Sequence, residues 1–117
     1  MSNLVLVSYF PKKREFFGPT IIPSSFEELD KYCAPLAGRW FPAEEDSAIL
    51  ERAFHYFNFD IADESIPMPP PSVKAAAEEF KCMLYATAGS VFSITDSIST
   101  RYYYCADIDW IQIVMPD

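Results

Sequence analysis

Basic residues are scarce in this chain. Nine lysines and arginines stand against seventeen aspartates and glutamates, giving a net charge of −8 and a pI near 4.5. Such an anionic surface repels phosphate backbones, so direct nucleic-acid binding is not expected. Histidine occurs once, and the three cysteines, Cys33, Cys82 and Cys105, are widely spaced with no C-x-x-C pair. That pattern gives no support to a zinc centre or a disulfide framework, and buried thiols are the simpler expectation. No apolar run approaches the roughly 18 residues of a membrane span, and residues 1–10 lack the charged start and cleavage pattern of a signal peptide. A cytoplasmic protein without membrane contact is the resulting expectation. No catalytic or cofactor motif is visible, and no cofactor is expected.

Half of the 117 residues are hydrophobic and 16% are aromatic. This is ample apolar material to offset the conformational entropy lost on folding, and the length suits one domain spanning residues 1–117.

Leu4 to Phe10, LVLVSYF, has the β-branched and aromatic content of a buried strand and stops at Pro11. In SSFEELDKYCAPLAG, Ser25 and Glu28 have capping-box spacing, while Phe26, Leu29, Cys33 and Leu36 fall on one helical face, which predicts a first helix ending by Gly38. Pro42 suits the first position of a second helix, in which Ile49, Ala53 and Phe57 share a face with Leu50 and Phe54. Glu51, Arg52, His55 and Asn58 then point to solvent. IPMPPPS, residues 66–72, reads as a stiff extended connector, because residues before prolines are pushed out of the helical region. A third helix follows, with Val73, Ala77, Phe80 and Leu84 as its apolar stripe, Lys74 and Glu78 paired at i, i+4, and Gly89 at its end. Residues 90–94, 97–105 and 110–115 change to β-rich composition and read as three successive antiparallel strands. The predicted class is α+β, in the order β-α-α-α-β-β-β, with three helices on one face of a small, mostly antiparallel sheet.

The negative charge is concentrated. Residues 43–70 hold seven acids (Glu44, Glu45, Asp46, Glu51, Asp60, Asp63 and Glu64) against Arg52 alone, a net −6, and the rest of the chain adds only −2. Glu44, Glu45 and Asp46 fall in the predicted first turn of helix two, where the macrodipole favours anions. Asp60, Asp63 and Glu64 fall at or beyond its negative end, where the dipole disfavours them. They are the stronger candidates for an interaction surface. Arg101 to Tyr104 adds three consecutive tyrosines, of which Tyr102 and Tyr104 must oppose Tyr103 in a strand. A partly exposed tyrosine there suits partner binding.

Other constellations carry less. Asp107 and Asp109 would share a face of a continuous strand and could hold a divalent metal as an enzyme centre, but the apolar alternation slips there and turn chemistry is the simpler reading. Lys12, Lys13 and Arg14 read as a solvated basic loop. Pro67 and Pro70 satisfy P-x-x-P but lie beside acids, where such ligands need a base. Together these features lead to the expectation of a small acidic inhibitor. It would use Asp60, Asp63, Glu64, Glu44, Glu45, Tyr102, Tyr103 and Tyr104 to occlude the cationic groove of a basic, nucleic-acid-handling protein partner, such as a nuclease. Toxin immunity proteins and phage anti-defence (anti-CRISPR) inhibitors are analogies of size and charge. The rivals are a metal-dependent enzyme centred on Asp107 and Asp109, and an assembly subunit associating through FFGPTII and RYYY.

Overall fold

The computed structural model describes residues 4–16, 22–57, 71–81, 89–106 and 109–114, with side chains in the third helix described only for 75–79. Five strands form one antiparallel sheet: β1 (Leu4–Phe10), β2 (Ala37–Pro42), β3 (Val91–Thr95), β4 (Thr100–Cys105) and β5 (Trp110–Ile113), in the order β2-β1-β3-β4-β5. Among the described residues three helices accompany it: α1 (Phe26–Tyr32), α2 (Asp46–Phe57) and α3 (Pro71–Phe80), with a short 3-10 turn at Arg14–Phe16. The fold is α+β.

Alternation along the strands sorts the side chains onto two faces. Register sets Val5 opposite Phe41, Val7 opposite Ile94 and Tyr9 opposite Phe92. This first face is buried under α2, whose Ile49, Leu50, Ala53 and Phe57 are almost wholly excluded from water. The filling is largely aromatic. Phe57 stacks on Tyr9 with centroids 5.2 Å apart and meets Phe92 edge-on at 5.9 Å, and Trp110 packs edge-on against Phe92 at 5.3 Å. Glu51, Arg52 and His55 lie on the exposed side of α2, as the helical period predicts.

On the opposite face, Leu29 and Cys33 at the end of α1 pack with Val91, Tyr104 and Ile113. The helices are therefore divided between the two faces, where the sequence pattern led to one shared face. α3 touches the rest through Ala77, which packs on Ala34 with Leu36 alongside. Helix α1 has only seven residues, roughly 10 Å of length, whereas five strands span roughly 19 Å. It cannot cover the second face. Leu4, 51% exposed, and Trp40, 58% exposed, stand on the half it leaves open.

Further expectations are corrected. The first helix ends at Tyr32, because Pro35 lacks the N–H a helix needs and disfavours a helical Ala34. The segment Ala37–Pro42 forms β2, adding a strand to the predicted order, so Pro42 closes a strand rather than opening the second helix, which begins at Asp46. Helix α3 begins at Pro71, inside the stretch read as an extended connector; residues 66–70 of that stretch lie outside the described residues, as do Asn58, Cys82 and Leu84. Pro71 occupies a first helical position, where its missing N–H costs nothing. Glu78 is held by Arg14 at 2.7 Å, and the Lys74 side chain expected to pair with it lies outside the described set. The Ser25 cap is as predicted: its hydroxyl accepts from the Glu28 N–H at 3.2 Å, while the Glu28 carboxylate turns back to Ser24. Cys33 and Cys105 are buried.

Phe57 joins more of the aromatic core than any neighbour on α2, so Phe57→Ala is expected to cost about 3–5 kcal/mol, read as a lower urea midpoint with an unchanged slope. Gly89, with φ +97° and only 3.0 Å between an added Cβ and the Lys12 side chain, should lose about 1 kcal/mol or more as Gly89→Ala in the same measurement.

Candidate functional site

One end of the sheet gathers most of the described features that bear on binding. There the β3–β4 hairpin turns through Asp96 to Ser99. The Asp96 carboxylate closes this turn by accepting the N–H groups of Ile98 and Ser99, each at 2.8 Å, and Thr95 and Thr100 bond across its base at 3.0 Å. Arg101, the second residue of β4, lies on the α2 side of the sheet. Its guanidinium reaches the Asp46 carboxylate with two bonds of 2.6 and 2.9 Å and Asp96 with one of 2.9 Å. The Tyr103 hydroxyl donates to the same Asp46 oxygen that takes the Arg101 Nε–H. A single cation thus ties the first turn of α2 to the hairpin tip.

This clamp sets the local titration. Arg101 pulls the Asp46 carboxyl below the usual range, helped by the tyrosine hydroxyl against a penalty from burial. The two backbone N–H groups, with Arg101 third, hold Asp96 down to about 2. Arg101 in turn is raised by Asp46, and burial with the Asp46 contact raises Tyr103.

Beside the clamp lies a shallow recess of about 440 Å³ whose walls include Leu4, Ala43, Glu44, Asp96 and Ile98. Ile98, at the hairpin tip, is 90% exposed. Glu44 is held loosely by Arg52 at 3.2 Å, and Glu45 is exposed. The two glutamates precede α2; Glu45 caps it through its carbonyl, which accepts from Ala48 and Ile49. Only Asp46 lies in the first turn, and its carboxylate answers Arg101 rather than the dipole alone. Sequence reading missed this role because Arg101 is 55 residues away, and no local spacing reports such a contact.

The three tyrosines separate. Tyr104 is buried at 3% exposure against Leu29 and Val91, which leaves it no surface to offer a partner. Tyr103 is half-buried and committed to Asp46. Tyr102 is half-buried on the opposite face, edge-on to Phe26 at 5.5 Å, in a recess shared with Ile113 and Val114. Asp60, Asp63 and Glu64 lie outside the described residues, as does Asp107. Asp109 closes the β4–β5 turn: its carbonyl accepts from Ala106 at 2.9 Å and its carboxylate from the Trp110 N–H at 2.7 Å. Among the described residues no three His, Cys, Asp or Glu side chains are grouped as metal ligands. Of FFGPTII, residues 17–21 are outside the described set.

The basic cluster is not simply solvated. Lys12 is 4% exposed, Lys13 donates to the Asp30 carbonyl at 2.8 Å and Arg14 binds Glu78. These cations serve internal contacts at the far end of β1. No helix among the described residues is long and apolar enough to cross a membrane.

Both clamp carboxyls titrate lower in the folded chain than in the unfolded one, so the folded state binds fewer protons. Their stabilisation is complete above the unfolded carboxylate range, about pH 4, and is lost as pH falls toward the folded value, about 2 for Asp96. Asp96→Asn should therefore flatten the fall in thermal midpoint between those two pH values. Arg101→Lys keeps the charge but not the planar fork and is expected to cost about 1–2 kcal/mol at neutral pH.

Comparison with protein-family models, curated proteins and solved structures returns no match to this chain.

Proposed function

We propose that this chain is an acidic protein-binding inhibitor that neutralises a basic, nucleic-acid-handling partner by occluding its cationic groove. One observation carries the reading: Glu44 shares a recess with the exposed apolar Leu4 and Ile98. Carboxylates at the rim of an apolar contact are what a cationic protein surface complements, since charges steer encounter while desolvated apolar groups hold the complex. The overall charge of −8 adds long-range attraction for such a partner. Arg101 contributes by fixing the hairpin tip, so the recess is preorganised and little ordering entropy is lost on docking. In this reading Glu44, Glu45, Asp60, Asp63 and Glu64 replace phosphate contacts in the partner's groove, and Tyr102 adds a peripheral aromatic contact.

Affinity capture from the native cell with mass spectrometry identifies the partner, and stopped-flow mixing with the purified partner then measures association. Changing Glu44, Glu45, Asp60, Asp63 and Glu64 together to lysine should slow association at low salt by roughly tenfold or more and abolish its salt dependence. The circular dichroism of the variant should match that of the parent chain. Association at the parental rate, with the fold intact, sinks the proposal.

A further inference from the structure

The open half of the second sheet face carries a feature the acids do not explain. Leu6 and Trp40 are directly opposed between β1 and β2, and Leu4 is opposed to Pro42. By alternation Leu4, Leu6 and Trp40 project to the same side, away from α2. Leu4 and Trp40 are more than half exposed, while Gly38, opposite Ser8, adds no side chain over the strand pair. Among the described residues β2 is also an edge strand of the sheet, and a strand edge beside an apolar face is a template for an extended segment.

Charge decides between occupants. A second copy would bring another −8 against this one. Leu4 belongs both to this face and to the recess with Glu44, so a segment lying over Trp40 meets a carboxylate where it leaves the apolar surface. Tryptophan is the ring that attracts cations most strongly.

From this juxtaposition we infer that the Trp40, Leu6 and Leu4 face is the anchor for an extended, cationic segment of a protein partner. Alternate apolar side chains of that segment lie on the sheet, and its arginines or lysines meet the Trp40 ring and Glu44. This deepens the proposed function and rests on it: the acids steer the partner, and Trp40 retains it.

The test uses the full chain and a synthetic peptide alternating arginine with leucine, with a glutamate and leucine peptide as control. Titration should give saturable calorimetric binding of the arginine peptide, a shift in Trp40 fluorescence, and no binding of the control. Trp40→Ala should weaken that binding roughly tenfold or more with its salt dependence retained, and Trp40→Phe should recover part of it. Because Trp40 is exposed, both variants should keep the parental circular dichroism and the emission of Trp110.

Absence of saturable binding overturns the inference, as does equal binding of the two peptides. Undiminished binding by Trp40→Ala overturns it while leaving the steering role of the acids intact. If lysine reversal of Glu44, Glu45, Asp60, Asp63 and Glu64 leaves peptide affinity and salt dependence unchanged, the electrostatic reading fails instead. A concentration-dependent dimer that Trp40→Ala abolishes assigns the face to a second copy and overturns the inference.

Discussion

A seven-residue helix cannot cover a five-stranded sheet, and the distribution of exposed apolar groups follows from that mismatch. α2, with twelve residues, closes its face with an aromatic core in which Phe57, Tyr9 and Phe92 are nearly dry. α1 reaches only the part of the second face formed by Val91, Tyr104 and Ile113. The remaining part keeps Leu4 and Trp40 in water, a cost of roughly 25 cal/mol for each Å² of apolar surface left exposed. An unburied tryptophan is a departure from the economy of the rest of the core.

Arg101 settles how the neighbouring end is arranged. Two of the acids near it, Asp46 and Asp96, are neutralised within the fold, and they anchor α2 and the hairpin rather than serving as free charge. Glu45 is left at the surface, and Glu44 is tied to an exposed arginine. Clamping costs the chain one of its few cations and in return holds the recess open. Local rigidity and outward negative charge arise from the same group of residues.

Much of the fold was legible where periodicity is strong. The α2 stripe, β1, the final three strands and the Ser25 cap all follow from local pattern. β2 did not, because Gly38 and Pro42 break its composition and Phe41 is its only buried residue; pairing with β1, distant in sequence, makes it a strand. The division of helices between faces was likewise hidden, since amphipathicity says that a helix has an apolar side but not which side of the sheet receives it. For the site, Glu44, Glu45 and Asp46 alike were read as first-turn helix electrostatics, though only Asp46 lies in that turn, and Tyr104 was read as a surface candidate though it is buried. Their true neighbours depend on register and on the Arg101 contact, neither of which is encoded in local spacing.

The central claim is that a cationic protein segment docks where the open sheet face meets the acidic recess. Amide hydrogen exchange of the full chain, with and without the alternating arginine and leucine peptide, tests that location most directly. The account predicts slower exchange across β1, β2 and the Asp96 to Ser99 turn, with α3 unchanged. Protection confined to α3 and the Lys12 to Arg14 end, or none anywhere at saturating peptide, would contradict it.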